Sequence, residues 1–159
     1  MKKVAVFPGT FDPFTIGHED IVKRALSVFD EVIVAIGVNA LKKNCFSVKD
    51  RIDMISKTFA DEPRVTVDYY EGLTADYCRK HGAIAIIRGL RSSSDFESER
   101  SIAQMNRKIS PDVDTYFIIS SPENMPVAST IVRDIIHNGG DASQFVPKAV
   151  NLSDYNEQK

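Results

Sequence analysis

Short apolar runs rich in β-branched residues alternate with amphipathic stretches from Val4 to His137, and this alternation decides the fold class. Val32–Ile36 and Ala83–Ile87 are unbroken apolar runs, as strands covered on both faces must be. Val4–Phe7, Arg64–Tyr69 and Asp114–Ile119 read as three further strands. Between them, Glu19–Phe29 repeats Ile21, Val22, Ala25, Leu26 and Phe29 on one helical stripe, and Val48–Phe59 repeats Ile52, Ile55 and Phe59. Leu73–His81 stops at Gly82, Asp95–Ile109 ends before Pro111, and Ser129–His137 closes at Gly139–Gly140. Five strands alternating with five helices predict a doubly wound, Rossmann-like α/β domain with a five-stranded parallel sheet and right-handed crossovers. Asp141–Gln144 has the form of a capping box for one more short turn. Asn151–Lys159 is polar and reads as a mobile tail.

The composition narrows the class further. At 159 residues and 43% hydrophobic content, one domain spanning residues 1–159 is expected. No apolar run approaches the roughly 18 residues of a membrane span. The first apolar run breaks at Pro8–Gly9, too early for a secretory signal. A net charge of −2 leaves no basic surplus for nucleic acid or an anionic membrane, though a small anion needs only a few cations. Cys45 and Cys78 form no CxxC pair and are expected as free thiols in a reducing cytoplasm. His18, His81 and His137 are scattered, so no metal ligands are readable.

In such sheets ligands bind beyond the carboxyl ends of the strands, so the loops there carry the chemistry. Neither GxGxxG nor GxxxxGK[ST] occurs. The first loop, Pro8–Gly17, is long for a βα connection. Gly17 permits close backbone approach, and His18 opens the next helix, where free N–H groups attract an anion and disfavour imidazolium. A capping or packing histidine would look the same. Lys42 and Lys43 follow the second strand; one of them at the ligand edge can meet a phosphate. Arg88 and Arg91 follow a buried strand and suit bidentate phosphate contacts. Glu99 and Asn106 share a helix face beside the apolar stripe Ile102, Met105 and Ile109. Glu99 either orients the arginines or contacts a hydroxyl of a substrate. Ser129 and Thr130 are ordinary helix-start residues or a second anion cradle.

Together these segments resemble the nucleotidylyltransferase superfamily. GTFDPFTIGH at 9–18 is similar to its [HT]xGH signature, and AlaSerThrIleValArg at 128–133 to its ISS[ST]xxR signature. Thr15 at the first position of TxGH, with IleIleArgGlyLeuArg at 86–91, AspPheGluSerGlu at 95–99 and MetAsnArg at 105–107, resembles the phosphopantetheine adenylyltransferases. The chain departs from the pattern at Ala128, Asn124, Phe7 and Ser98, where serine, an aromatic residue, tyrosine and tyrosine are common.

The resemblance implies a nucleotidylyltransferase fold and a reaction of ATP with 4′-phosphopantetheine, assisted by Mg²⁺, that yields dephospho-coenzyme A and pyrophosphate. It implies that His18 is catalytic and binds the ATP phosphates. Thr10 would touch both substrates, with Phe11 beside ATP. Gly89, Leu90, Arg91, Glu99, Asn124, Met125, Pro126, Val127, Ala128, Ser129 and Thr130 would bind ATP. Lys42, Thr74, Arg88 and Asn106 would bind phosphopantetheine. It further implies a cytoplasmic homohexamer with feedback binding of coenzyme A. Its Mg²⁺ would be held largely by substrate phosphates and water. Two rivals stand beside this reading: an adenylyltransferase for nicotinate or nicotinamide mononucleotide, against which Thr15 argues, and a non-catalytic nucleotide-binding module.

Overall fold

β1 (Val4–Gly9) lies at the centre of a parallel sheet. In the computed structural model, which describes residues 1–158, α1 (Ile16–Ala25), β2 (Glu31–Gly37), α2 (Val48–Thr58), β3 (Val65–Tyr70), α3 (Thr74–Lys80), β4 (Ala85–Leu90), α4 (Ser93–Ile109), β5 (Asp114–Ile119) and α5 (Ser129–His137) follow. The strand order is β3-β2-β1-β4-β5. The chain therefore winds outward from β1 in one direction, returns, and winds outward in the other. The switch point lies between β1 and β4, where a doubly wound sheet places its ligand.

A local feature widens that point. β1 pairs with β2 from Val4 to Gly9, but with β4 only at Ala5 and Val6. Pro8 has no N–H with which to continue a ladder. Its carbonyl instead accepts a hydrogen bond of 2.7 Å from the Arg88 guanidinium. The two strands part at their carboxyl ends, and a cleft opens between them.

Strand alternation sorts the core into two layers. Ala5 and Phe7 face α1 and α2, against Ile21, Val22, Leu26, Ile55 and Phe59. Val6 faces the opposite side with Ile33, Ala35, Ile86, Tyr77 and Cys78, the last two from α3. The outer strands β3 and β5 are only partly covered. α4 contributes no buried residue, so its apolar stripe is exposed: Ile102 is 54% and Met105 58% accessible. Both cysteines are buried and free.

Several boundaries differ from the sequence expectation. β1 includes Pro8 and Gly9, and α1 starts at Ile16 rather than Glu19, leaving a connection of only residues 10–15. The earlier start follows from the cap at Thr15. α1 also ends at Ala25, and the last residues before Phe29 form turns. Asp141 makes no capping box; its carboxylate accepts the Ser143 N–H across a short turn, and the 3₁₀ turn Ser143–Phe145 follows.

The expected mobile tail is instead docked through Gln158, while Lys159 lies outside the described residues. Residues 152–154 form a 3₁₀ turn. Leu152 and Tyr155 pack against a third cluster made by Cys45, Phe46, Met54, Val146 and Val150. The Tyr155 hydroxyl donates to Asp53 at 2.7 Å, and the Gln158 N–H to the Cys45 carbonyl at 2.6 Å. Few residues of the segment are apolar, so composition hid the two that anchor it. Deleting residues 151–159 uncovers this cluster, and the midpoint of thermal unfolding is expected to fall by about 5 °C, the equivalent of roughly 2 kcal/mol. An unchanged midpoint would contradict the docking.

Candidate active site

The spacing of Thr15 and His18 is that of a helix N-cap and the third residue of its first turn. The Thr15 hydroxyl accepts the His18 N–H at 3.3 Å, and His18 Nδ1 accepts the Thr15 N–H at 3.0 Å. This is a capping box in which an imidazole takes the place usually held by a glutamate or glutamine. Because Nδ1 accepts from a backbone N–H, the proton of the neutral ring sits on Nε2. That N–H is the donor left for a ligand. The rings of Phe7, Phe11 and Phe14 surround the imidazole with centroids 6.1, 5.0 and 5.3 Å away. Burial, reinforced by the charges of Arg88 and Arg91, lowers the His18 pKa to about 3. The sequence pointed to a neutral histidine through the helix end; the larger cause is desolvation.

Phe11 is held in the left-handed region, with φ of 50°. Its ring covers the α-carbon of Gly9 so closely that a Cβ there would lie 2.8 Å from Phe11 Cζ. Glycine at position 9 thus lets Phe11 pack over His18. Gly17 has no such requirement, since a Cβ there would make only ordinary contacts with Thr15, Asn124 and Val127.

Three residues outside the expected set shape this loop. The buried Asp12 carboxylate accepts the N–H groups of Cys45 at 2.7 Å and Phe46 at 2.9 Å. Arg51 is 1% exposed and donates to the carbonyls of Phe46, Ser47 and Thr10. Arg133 donates to the Asp12 carbonyl at 2.7 Å. The β1–α1 loop is thereby tied to the start of α2 and to α5. Arg51 is spaced as one more charged residue on an amphipathic helix, and nothing in its spacing distinguishes it. Asp12 and Arg133 lie inside the two signature stretches, which was the available signal.

Around this loop lies an open cleft of about 400 Å³. Thr10, Phe11, His18, Lys42, Arg88, Gly89, Arg91, Glu99, Asn124, Val127, Ala128, Ser129 and Thr130 line it. Leu90, Met125 and Pro126 do not. A second chamber of about 270 Å³ shares Pro8, Gly9, Thr10, Arg88 and Glu99 with the first. It adds Thr74 and Asn106, together with Gly37, Tyr70, Ile102, Ala103 and Thr115. Two connected chambers with Thr10 and Arg88 at their junction suit two ligands that meet there. Lys42 lines the first chamber, and Lys43 lines neither.

The cations are pre-set by carboxylates. Glu99 grips Arg88 with two bonds, to Nε at 3.0 Å and Nη2 at 2.8 Å, while Nη1 reaches Pro8. Three of the five guanidinium N–H groups are thus engaged and two remain for a ligand. The orienting alternative for Glu99 is the one this geometry favours. Asp95 accepts the Arg91 N–H at 3.0 Å and lies 3.6 Å from its guanidinium. Lys42 Nζ donates to Thr10 Oγ1 at 3.2 Å. At α5, the N-cap is Ala128 and no side chain caps the first turn. Ser129 Oγ instead donates to the Pro13 carbonyl at 3.0 Å. The amides at the start of α5 therefore stay available to an anion, in the same cleft as the start of α1.

The sign of the His18 effect is testable. A folded-state pKa near 3 keeps the ring neutral from pH 5 to 8, as the Nε2–H tautomer, in the ligand-free protein. The ¹⁵N resonances of His18 are expected to stay constant over that range. A midpoint near 6.5 would contradict the half-buried, capped geometry.

A family model described as cytidylyltransferase-like matches residues 6–135. The chain is 53% identical over 152 residues to the phosphopantetheine adenylyltransferase of Flavobacterium psychrophilum, covering 96% of this chain and 99% of that one. The enzyme of the same name from Leptospira biflexa is 43% identical over 150 residues, covering 94% of each. Among solved structures, a bifunctional NMN adenylyltransferase/ADP ribose pyrophosphatase from Francisella tularensis, complexed with AMP and a Mn ion, superposes with a TM-score of 0.70. It is 21% identical, and the match covers 98% of this chain and 47% of that one. That likeness supports the fold, a Rossmann-like nucleotidyltransferase sheet. On the strength of the full-length relatives, the chain belongs to the phosphopantetheine adenylyltransferases of the cytidylyltransferase-like family.

Proposed function

We propose that this enzyme transfers the adenylyl group of ATP to 4′-phosphopantetheine, giving dephospho-coenzyme A and pyrophosphate. The observation that carries the reading is the pair of chambers joined at Thr10 and Arg88. The first, with His18 and two helix starts, suits the triphosphate. The second, smaller and lined by Tyr70, Thr74, Ile102 and Asn106, suits the pantetheine arm.

The chemistry follows from the ligands and from these residues. A phosphate monoester oxygen attacks the α-phosphorus of ATP, the bond to the bridging oxygen breaks, and pyrophosphate leaves with the electron pair. A largely dianionic phosphate needs no general base near neutral pH. The barrier is the approach of two anions, so positioning and positive charge supply the catalysis. Arg88 and Lys42 hold the attacking phosphate at the junction. Arg91 and the α5 amides hold the triphosphate. The His18 Nε2–H donates to the α-phosphate oxygens as charge grows there, and a neutral ring does this without a proton transfer.

The carboxylates of the cleft are already engaged: Asp12 by backbone N–H groups, Asp95 by Arg91 and Glu99 by Arg88. This fits a divalent ion, Mg²⁺ in our reading, that is held mainly by substrate phosphates and water, with the Thr10 hydroxyl nearby. Such an ion would neutralise phosphate charge that the four cations Lys42, Arg88, Arg91 and Arg133 leave uncovered.

We place the reaction in the cytoplasm and the enzyme in a homohexamer. No helix of the described residues is long and apolar enough to cross a membrane. The exposed α4 stripe, continued by Tyr116 and Ile119 on β5, supports association between copies. Feedback binding of coenzyme A belongs to the same reading, because that molecule carries both halves of the product.

The deciding experiment incubates the protein with ATP, Mg²⁺ and 4′-phosphopantetheine and follows dephospho-coenzyme A by mass spectrometry. Pyrophosphate release with nicotinamide mononucleotide instead would overturn the assignment. His18→Gln preserves the capping acceptor but removes the donor geometry, so kcat should fall by about a hundredfold or more with the fold intact. Lys42→Ala should mainly raise KM for phosphopantetheine; an effect confined to the KM for ATP would contradict its place. Met105→Glu should shift the sedimenting species to a smaller assembly.

A further inference from the structure

Cys45, His137 and Glu157 come from three distant segments, yet each brings one ligand atom into a group whose members lie within 4.8 Å of one another. Cys45 sits before α2, His137 at the end of α5, and Glu157 in the docked C-terminal segment. None lines the substrate chambers. Glu157 Oε1 lies 2.8 Å from His137 Nδ1 and 3.7 Å from Cys45 Sγ. A tetrahedral ion with bonds of about 2.3 Å to sulfur and about 2.1 Å to oxygen separates those two atoms by about 3.6 Å. The sulfur–oxygen edge already matches. The His137–Glu157 contact must open by about half an ångström to match the corresponding edge.

We propose that Cys45, His137 and Glu157 form a zinc site, with water as the fourth ligand. Thiolate with imidazole selects Zn²⁺ over Mg²⁺ or Ca²⁺. Cys45 is buried, whereas His137 is exposed, so the ion is reached from solvent and one position is left to water. A coordinating thiol gives up its proton, so an ion bound at this point takes the thiolate. On binding, the thiol proton is released, while the imidazole keeps one proton, now on Nε2.

The placement gives the site a consequence. The Cys45 N–H donates to the Asp12 carboxylate that anchors the β1–α1 loop, and the Gln158 N–H donates to the Cys45 carbonyl. Zinc would clip the C-terminal segment to the back of that loop, about one residue from its main anchor. Its role there is structural and does not depend on which substrates the cleft takes.

The test uses the full chain, stripped with a chelator and titrated with Co²⁺ and then Zn²⁺. One equivalent of Co²⁺ should give a thiolate-to-cobalt charge-transfer band and visible bands of tetrahedral intensity. Zn²⁺ should displace the Co²⁺, release about one proton and raise the unfolding midpoint. Cys45→Ser should abolish the charge-transfer band. His137→Gln and Glu157→Gln, both on accessible side chains, should weaken Zn²⁺ binding by about a hundredfold with the fold retained. The proposal is overturned if no thiolate band forms, if the band survives Cys45→Ser, or if both His137→Gln and Glu157→Gln bind as tightly as the parent. Adenylyl transfer is not the readout, so failure here leaves the assignment of the cleft standing, and the reverse.

Discussion

The carboxylate of Asp12 is the joint on which the site depends. It is 2% exposed, and two backbone N–H groups from the segment before α2 satisfy it. An unpaired buried charge would be costly, so those bonds and the adjacent Arg51 are what make the burial tolerable. Arg51 completes the joint by taking the carbonyl of Thr10, and Arg133 by taking that of Asp12 itself. Residues 10–15 have little regular structure of their own. They hold one conformation because three neighbouring elements grip their polar groups.

From that joint the chemistry is arranged outward. Phe11 is forced over Gly9 and packs on His18, which is locked by Thr15 on its other nitrogen. A histidine in water would spend part of its time charged near pH 6.5 and would rotate between tautomers. Here burial and the two arginines keep it neutral, and the cap selects the tautomer. The arginines in turn are oriented by Glu99 and Asp95, which also lessens their mutual repulsion. The cleft is therefore a set of donors placed before any substrate arrives, with little to reorganise when charge develops.

The legibility of each part follows from how local its cause is. Strand and helix periodicity is local, so all five strands and five main helices could be read, with errors of a few residues at their ends. The start of α1 was placed three residues late because the apolar stripe begins only at Ile21, whereas the helix is opened by the polar cap at Thr15. Lys42, Arg88, Arg91, Ser129 and Thr130 could be placed on one sheet edge because a doubly wound topology brings the ends of its strands together. Arg51 could not, because its function comes from neighbours more than thirty positions away in Thr10 and Asp12. The docked tail was misread for the same reason: its anchors, Leu152 and Tyr155, contact residues around 45–54.

Taken by itself, the amino-acid order determined the parallel α/β sheet, the edge that carries Lys42, Arg88, Arg91, Ser129 and Thr130, and the two signature stretches. Those depend on repeats and spacings within one element. The tertiary structure alone decided that Pro8 accompanies the parting of β1 and β4, that Glu99 holds Arg88, that His18 packs among three phenylalanines with Nδ1 engaged by the Thr15 N–H, and that Cys45, His137 and Glu157 meet. Each of these is a contact between segments distant in the chain, and such contacts are fixed by packing and desolvation rather than by periodicity.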